Sequence, residues 1–334
     1  MSDNPVLAEV RRNNIVESCH RGSAIAVNAA NEIVYAVGDV ERDIYPRSSL
    51  KFMQALPLVM SGAADKYNVS QKELSLACAS HNAEEFHVDC VREWLQRMDL
   101  SCDDLECGPT FPIHELSAHK LSAQHLKPGR EHQNCSGKHS GMLTLAKFLG
   151  APTKTYSHYE HPAQQAWLKQ LAELCEFDAL NAPWERDGCG MPAICMPMRN
   201  LALGMARYAA PSSVSDELAT AMQRIIDAVT AYPEMLAGTD RCCTAVIKTT
   251  KGRVLVKTGA EAVYAGFAAK QGLGFVLKID DGSNRGSEVA LGALLKKLNL
   301  LSPEEQQQLQ PYFNPDIKNS QHWKTGEVVA SSGW

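Results

Sequence analysis

The sequence lacks the features that mark a membrane protein, a secreted protein or a nucleic-acid-binding protein. No apolar run approaches the roughly 20 residues that cross a bilayer, and the first residues, MSDNPVLAEVRRNN, contain no apolar core of a secretion signal. There is no long basic run and the formal net charge is −5, so nucleic acid is not an expected partner. The composition, 45% hydrophobic and 21% charged, is that of a soluble globular protein.

Cysteine is plentiful, but it lacks the spacing of a disulfide framework. The 11 cysteines are an odd number and include no Cys-x-x-Cys pair. A chain of 334 residues is long enough to bury a core without disulfides. We therefore expect most of the cysteines to be reduced core residues and the protein to be cytoplasmic.

The two ends of the chain have the pattern of β-strands. Residues 22–37 contain two β-prone runs separated by a turn signal, which predicts a hairpin. A second hairpin is predicted around Lys251-Gly252 near the other end. The predicted strands are the two runs within 22–37, then 243–249, 253–257, 262–269 and 274–279.

The middle of the chain has the pattern of helices. Ser70-x-x-Glu73 has the form of a capping box, in which the two residues satisfy each other's backbone N–H groups. Asn82-x-x-Glu85 predicts another helix start, and Gly150 predicts a helix end. The predicted helices are 70–79, one that begins at 82, 137–149, 160–176, 213–230 and 284–298.

Together these patterns predict an α/β fold with a discontinuous arrangement. Strands from both chain ends most economically share one antiparallel sheet that helices cover. We therefore predict a sheet domain of residues 1–45 and 235–334 and a mainly helical domain of residues 46–234. Ligands often bind in clefts between domains, so the active site is expected between these two.

Ser48 and Lys51 stand three residues apart at the start of the apolar run FMQALPLVM. Residues three apart on a helix share a face, so the two side chains can touch. A serine hydroxyl is a weak nucleophile until a base removes its proton, and a lysine can do so only when burial or a second cation keeps it neutral. The same spacing recurs at Ser117 and Lys120, so alone it also fits the polar edge of a buried helix.

Two further motifs follow in the order typical of serine acyl-transfer enzymes: Ser-x-x-Lys, then Ser-x-Asn, then Lys-Thr-Gly. Ser80-His81-Asn82 joins two predicted helices, and Lys257-Thr258-Gly259 ends the apolar strand RVLVK. Second copies occur at Ser2-Asp3-Asn4, which precedes Ser48, and at Lys324-Thr325-Gly326, for which no strand is predicted. Singly, Ser80 also fits a helix cap and Lys257 a solvated strand end, but the ordered trio favours catalysis.

Cys135 and Cys189 form a second set of candidate functional residues. Cys135-Ser-Gly-Lys138 opens a predicted helix, where a thiol becomes more acidic, and Asp187-Gly-Cys189-Gly is a glycine-rich loop. Two thiolates, a nitrogen ligand and a water would form an open zinc site. The spacing fits no zinc-ribbon pattern and lysine is a rare ligand, so spacing alone favours two buried cysteines beside a tight turn.

Five blocks of the sequence resemble the rhizobial-type, class 3 L-asparaginases, and the likeness runs over nearly the whole chain. The most specific blocks are NCSGKHSGML at 134–143 and DGCGMP at 187–192. The others are RSSLKFMQ at 47–54, LACASHNAE at 76–84 and VKTGAEAV at 256–263. The tail beyond about residue 310 contributes no block to this likeness.

The resemblance implies a fold similar to that of serine β-lactamases and glutaminases, and a homodimer. It implies hydrolysis of L-asparagine to L-aspartate and ammonia through a serine acyl-enzyme. It also implies Zn²⁺, which reverses the preference drawn from spacing. Lys257, rather than Lys278, is assigned to the second pair because the TGAE block follows it. The implied residues are the pairs Ser48 with Lys51 and Ser80 with Lys257, the zinc ligands Cys135, Lys138 and Cys189, and the substrate-lining Arg47, His139 and Asp187.

Two other functions stay open on the sequence alone. A glutaminase or another β-lactamase-like amidohydrolase would use the same serine and lysine residues. A non-catalytic zinc or amino-acid binding module would keep the cysteines but would have no use for a buried lysine. The intact set of serines and lysines argues against the binding module.

Overall fold

The computed structural model describes residues 4–334, which form two compact units. The sheet unit comprises the residues up to 49, 196–213 and 245–334, and the helical unit comprises 50–195 and 214–244. The domain boundaries predicted after residues 45 and 234 stay a prediction. Ser2 and Asp3, of the second Ser-x-Asn copy, lie outside the described residues.

Residues 4–334 contain 12 β-strands and 14 α-helices. None of these helices combines the length and the apolarity needed to cross a membrane. The strands are β1 (Val6–Arg12), β2 (Ile15–Asn28), β3 (Ile33–Val37), β4 (Asp43–Ile44), β5 (Trp184–Arg186), β6 (Pro192–Ile194), β7 (Met196–Pro197), β8 (Val254–Gly259), β9 (Val263–Ala268), β10 (Leu273–Ile279), β11 (Asp316–Lys318) and β12 (Lys324–Ala330). The helices are α1 (Lys51–Gln54), α2 (Leu56–Met60), α3 (Ala63–Lys66), α4 (Gln71–Ala77), α5 (Glu85–Arg97), α6 (Glu115–Ala123), α7 (Ser136–Phe148), α8 (Pro162–Cys175), α9 (Met198–Ala209), α10 (Asp216–Ala231), α11 (Pro233–Leu236), α12 (Cys242–Thr249), α13 (Asn284–Lys297) and α14 (Pro303–Phe313).

One antiparallel sheet of eight strands forms the core of the sheet unit, and both ends of the chain contribute to it. Its strand order is β11-β12-β1-β2-β10-β9-β8, with β3 paired to β2. Every residue of β9 is buried, so both faces of the sheet are covered at this strand. The predicted α/β class, with an antiparallel sheet built from both chain ends, is confirmed.

Helix α9 lies directly on the sheet because β10 has a glycine at the crossing point. A Cβ at Gly274 would lie 2.0 Å from the backbone nitrogen of Ala206 and 2.3 Å from the carbonyl oxygen of Ala202. Backbones this close leave no room for a side chain. Helix α9 therefore packs with the sheet unit rather than with the other helices of the middle of the chain.

Helix α7 is the centre of the helical unit. Its residues 136–146 are all buried, which is the pattern of a helix surrounded on every side. The helix packs closely on α4, since a Cβ at Gly137 would lie 2.3 Å from the carbonyl oxygen of Leu76. This contact brings the start of α7 beside the end of α4.

Most of the predicted elements are confirmed. Helix α4 begins with the capping box of Ser70 and Glu73, and α7 ends just before Gly150, which has a φ of +64°. The other confirmed elements are the hairpin β2–β3, the strands β8, β9 and β10, and the helices α8, α10 and α13.

The strand predicted over 243–249 is wrong, because these residues form helix α12. Residues 242, 243, 246 and 247 are buried, and this spacing is that of a helix with one buried face. The β-branched residues in this segment make it resemble the continuous apolar run of a strand. Lys251-Gly252 therefore ends a helix instead of turning a hairpin, and the N–H of Gly252 donates to the carbonyl of Ile247 at 3.0 Å.

Two smaller expectations are also wrong. Helix α5 is capped by Glu84 rather than by Asn82, whose side chain instead donates to the carbonyl of Thr239 at 3.0 Å. Lys324 was expected to lie outside any strand, but it is the first residue of β12, which pairs with β1. The polar residues before Lys324 hid this strand.

Gly274→Ala should lower the free energy of unfolding by about 2 kcal/mol, because the new methyl group would overlap the backbone of α9. Chemical denaturation followed by circular dichroism measures the change. Gly108→Ala is the matched control, since nothing lies within 4 Å of a Cβ at that position. Equal stability of the two variants would contradict the direct contact between α9 and β10.

Candidate active site

Ser48 lies on a single 3-10 turn, Arg47–Leu50, which leads directly into α1. Lys51 is the first residue of α1, so the helix start expected here is present. Ser48 is half-buried and Lys51 is fully buried. The hydrogen bond between Ser48 and Lys51 that the spacing predicts stays a prediction.

The turn that carries Ser48 is strained and closely packed. Arg47 has a φ of +53°, in the left-handed region that residues other than glycine seldom occupy. Such strain persists only where the surrounding packing fixes it. Strand β8 ends against this turn, since a Cβ at Gly259 would lie 2.4 Å from the carbonyl oxygen of Pro46. The glycine of Lys257-Thr258-Gly259 is therefore what lets the strand approach the turn.

The two Lys-Thr-Gly copies lie on strands that are far apart in the sheet order, since β8 is at one edge and β12 is next to the other edge. They also differ in burial. Lys257, on β8, is fully buried, and its Nζ donates to the carbonyl of Thr258 at 2.8 Å. Lys324, on β12, is exposed and forms ion pairs with Asp316 at 2.7 Å and Glu327 at 2.9 Å. Both lysines lie on strands, so burial is the feature that distinguishes Lys257 from Lys324.

Lys51 is the buried amine at which three segments of the helical unit meet. Its Nζ donates to the carbonyl oxygen of Ala79, to the Oγ of Ser80 at 3.1 Å and to the Sγ of Cys135 at 3.0 Å. A buried amine is costly unless its N–H groups are paired, and these acceptors pair it. The contact between Ser80 and Lys51 was not predicted, because the sequence assigned Ser80 to Lys257.

The loop that carries Ser80 is held by its backbone and by the next side chain. The N–H of Ser80 donates to the carbonyl of Leu236, and the N–H of His81 donates to that of Asn134, both at 3.0 Å. The Nε2 of His81 lies 2.8 Å from the Oγ of Ser136 on α7. These bonds fix Ser80 beside the start of α7.

Cys135 and Cys189 are neighbours joined by a hydrogen bond. The Cys135 thiol donates a hydrogen bond to Cys189, which lowers the pKa of Cys189 well below its ordinary value. The same bond, together with burial, raises the pKa of Cys135 to about 12. The Nζ of Lys138 lies 3.1 Å from the Sγ of Cys189. Burial opposes the charge of Lys138, but the two sulfurs outweigh burial and raise its pKa. These contacts favour the thiolate form of Cys189 over that of Cys135.

A short hairpin presents Cys189. Strands β5 and β6 pair antiparallel, and the N–H of Asp187 donates to the carbonyl of Met191 at 2.8 Å to close the loop between them. Gly190 has a φ of +90°, which accounts for a glycine at that position. Asp187 is half-buried, and its carboxylate also raises the pKa of Lys138.

The side chains of Cys135, Lys138 and Cys189 are of the chemical types that the predicted zinc site requires. Among residues 4–334, no group of three or more His, Cys, Asp or Glu side chains is placed to hold a metal ion, so a metal here depends on Lys138. Thiolate sulfur and neutral nitrogen are common donors to Zn²⁺, and the lowered pKa of Cys189 favours its thiolate form. Cys135 and Lys138 would each release a proton on binding.

His139 is fully buried on α7, next to Lys138. Its Nδ1 lies 2.6 Å from the hydroxyl of Tyr156, which accepts a hydrogen bond from the N–H of Glu106 at 2.8 Å. Burial, together with the charge of Lys138, lowers the pKa of His139 to about 3, so the ring is neutral at pH 7.

Several residues around the site were missed by the sequence analysis. Tyr156 and Glu106 support His139, but their segments carry no motif and no periodicity. Cys107 is buried, and burial and the nearby Cys135 raise its pKa. The sequence offered no means of distinguishing Cys107 from the other core cysteines. His81 stands inside a predicted motif, where only its neighbours were assigned a role.

The predicted site residues fall into two groups, one in each unit. The second Ser-x-x-Lys copy, with Ser117, lies on α6, none of whose residues is buried. The helical unit brings together Lys51, Ser80, Cys135, Lys138, His139, Asp187 and Cys189, and the sheet unit holds Arg47, Ser48 and Lys257.

Stability should fall in mild acid because of two buried histidines beside Ser80. The rings of His81 and His87 stack with centroids 4.9 Å apart, and burial lowers the pKa of His87 to about 4. The unfolded ring has a pKa of about 6.5, so the unfolded chain binds more protons between these values. The free energy of unfolding should therefore decrease as the pH falls from about 6.5 to about 4, by up to about 3 kcal/mol from His87. Urea denaturation across this range measures the change.

Two variants assign this pH dependence to the stack. His87→Gln should remove part of it, whereas His119→Gln, on the exposed helix α6, should leave it unchanged. The same slope of stability against pH in both variants would count against the assignment.

Comparisons with known proteins bear on the fold and the family. Similar solved structures include Mglu in its native form, with 14% identity, a TM-score of 0.45 and coverage of 85% of this chain and 66% of that chain. A β-lactamase from Mycobacterium bovis has 13% identity, a TM-score of 0.42 and coverage of 83% and 94%. A β-lactamase from Sphaerobacter thermophilus DSM 20745 has 14% identity, a TM-score of 0.41 and coverage of 85% and 94%.

A search of curated proteins found no match to this chain. The model of the family described as L-asparaginase II matches residues 8–330, which is nearly the whole sequence. The chain therefore belongs to the L-asparaginase II family.

Proposed function

We propose that this protein is an L-asparaginase, which hydrolyses L-asparagine to L-aspartate and ammonia through a serine acyl-enzyme. Membership of the L-asparaginase II family supports an amidohydrolase. The observation that carries the serine mechanism is the complete burial of two lysines, Lys51 and Lys257. Lysine is almost never fully buried unless it is paired, and a buried lysine close to a serine is suited to remove the hydroxyl proton.

In the first step, the neutral amine of Lys51 accepts the proton of Ser48, and the Ser48 oxygen attacks the side-chain amide carbon of asparagine. Backbone N–H groups of Ser48 and of the strand after Lys257 would hold the oxyanion. One such donor stabilises the transition state by about 3 kcal/mol. The close approach of Gly259 to the turn that carries Ser48 supports this assignment.

In the second half of the reaction, the amide nitrogen takes the proton from Lys51 and leaves as ammonia. A β-aspartyl ester remains on Ser48. Water then gives a proton to the same amine and attacks the ester carbon, after which aspartate leaves and the proton returns to Ser48. Ser80, at 3.1 Å from Lys51, would relay protons between Lys51 and Lys257.

Charged and polar side chains would hold the substrate. Arg47 is assigned to the substrate carboxylate, because a guanidinium can bind both of its oxygens. Asp187 carries the opposite charge and suits the α-amino group. His139 is the third substrate-lining residue, and it is neutral.

We assign Zn²⁺ to Cys135, Lys138 and Cys189, as the family resemblance implies. When bound, it would mainly fix neighbouring groups, since two thiolates blunt its Lewis acidity. A homodimer and a cytoplasmic location complete the proposal, and they rest on the resemblance and on the composition.

Ser48→Ala should lower ammonia release from L-asparagine by about 10⁴-fold or more, because it removes the nucleophile. Ser117→Ala is the matched control, since Ser117 has the same spacing from a lysine on an exposed helix, and it should keep the wild-type rate. A coupled assay measures ammonia, and mass spectrometry after rapid quenching should detect the ester on Ser48 in the wild type.

Other outcomes of this experiment would favour other functions. Near-wild-type activity in Ser48→Ala, with unchanged thermal unfolding, would exclude Ser48 as the nucleophile. Faster release from glutamine than from asparagine would favour a glutaminase, and turnover of a chromogenic β-lactam would favour a penicillin-recognising hydrolase. Binding of asparagine without release of ammonia would establish a binding module.

Wild-type protein dialysed against Zn²⁺ should retain about one equivalent per chain. Cys189→Ser should retain much less, whereas Cys107→Ser, which changes another buried thiol nearby, should bind normally. Because binding displaces protons from Cys135 and Lys138, the affinity should fall as the pH is lowered. Metal analysis and calorimetry measure both effects, and full zinc content in Cys189→Ser would exclude this site.

A further inference from the structure

His139 has one ring nitrogen with a partner and one without. Its Nδ1 lies 2.6 Å from the hydroxyl of Tyr156, whereas its Nε2 is buried and has no hydrogen-bond partner among residues 4–334. Buried polar atoms of side chains are nearly always paired. An unpaired, buried ring nitrogen beside Lys138 therefore points to a ligand that binds there.

The hydrogen bonds of Tyr156 decide which nitrogen of His139 carries the hydrogen. The Tyr156 oxygen accepts from the N–H of Glu106 at 2.8 Å, and among the described residues its own proton is paired only when it is donated to the Nδ1 of His139. A neutral imidazole has one acceptor nitrogen and one donor nitrogen. Since Nδ1 accepts, Nε2 carries the hydrogen and is a donor.

Tyr156 is held rigidly enough to impose this choice. The carboxylate of Glu106 accepts hydrogen bonds from the backbone N–H groups on both sides of Tyr156, those of Thr155 and of Ser157, at 2.5 and 2.9 Å. The side chain of Gln164 donates to the carbonyl of Tyr156 at 2.8 Å. The phenol ring is also fully buried. Its hydroxyl therefore has a fixed position relative to His139.

We propose that Tyr156 is a positioning residue that fixes His139 as an Nε2–H donor, so that an oxygen atom of the substrate binds at this nitrogen. The ligand at this point is a carboxylate or an amide carbonyl of an amino acid. An ammonium group is excluded there because it has no acceptor. The identity of the substrate rests on the proposed function, but the assignment of the ring hydrogen does not.

Nitrogen-15 NMR of histidine-labelled protein tests the ring hydrogen directly, because protonated and unprotonated ring nitrogens differ in chemical shift. At pH 7, His139 should have an unprotonated Nδ1 and a protonated Nε2, with its signals identified by their loss in His139→Gln. Tyr156→Phe should convert this single state into a mixture. Tyr159→Phe is the matched control, since the Tyr159 hydroxyl donates to the carbonyl of Leu180 instead.

Kinetics test the contact with the substrate. Tyr156→Phe should lower kcat/KM for L-asparagine by about tenfold or more, because it weakens a hydrogen bond to the substrate. Tyr159→Phe should keep the wild-type value. A rise in KM at constant kcat would place the oxygen in the substrate carboxylate. An equal fall in kcat and kcat/KM would place it in the reacting amide, whose oxygen becomes negative during the reaction.

A protonated Nδ1 in the wild-type protein would overturn the proposal, whatever the activity. So would an unchanged kcat/KM in Tyr156→Phe. If the wild type hydrolyses no amide, the proposed function fails while the NMR result still decides the state of His139. Calorimetric binding of L-aspartate to the wild type, Tyr156→Phe and Tyr159→Phe then replaces the kinetics, and equal affinities would overturn the substrate contact.

Discussion

The amine of Lys51 is the contact on which the arrangement of the helical unit's site depends. Through Ala79, Ser80 and Cys135 it joins the start of α1, the loop after α4 and the start of α7. Losing the amine would remove three buried hydrogen bonds at once, and their acceptors have been withdrawn from water. The position of the second serine and the position of the thiol pair are therefore coupled through a single nitrogen atom.

This coupling is possible because two helices approach each other closely. At Gly137, a Cβ would lie 2.3 Å from the Leu76 carbonyl oxygen, and at Gly141 it would lie 3.4 Å from the Cβ of Ala77. A larger residue at Gly137 would push α7 away from α4 by more than the range of distances over which a hydrogen bond forms. Within NCSGKHSGML, the glycines therefore serve packing, while Cys135 and Lys138 belong to the candidate site. One short block thus combines close helix packing with the residues assigned to the metal.

The sequence was sufficient for features that depend on local rules and insufficient for those that depend on packing. The capping box at Ser70 and the alternation of turns and β-prone runs are local, and they predicted α4 and most of the sheet. Helix α12 was misread because an apolar run can be a buried helix or a buried strand until its neighbours are known. Tyr156 acts on His139 only through a contact made in the folded chain, so no pattern could have indicated it.

Lys51 must release one of its three contacts in order to act as a base. A protonated amine has three N–H donors, and Ala79, Ser80 and Cys135 each offer an acceptor. A neutral amine has two N–H groups and a lone pair, so it can keep two of these contacts while the lone pair accepts the proton of Ser48. The hydroxyl of Ser80 can donate as well as accept a hydrogen bond, which suits Ser80 to be the contact that changes. In the proposed mechanism, Ser80 is therefore the group that adapts when Lys51 gains or loses a proton, a role distinct from that of the nucleophile Ser48.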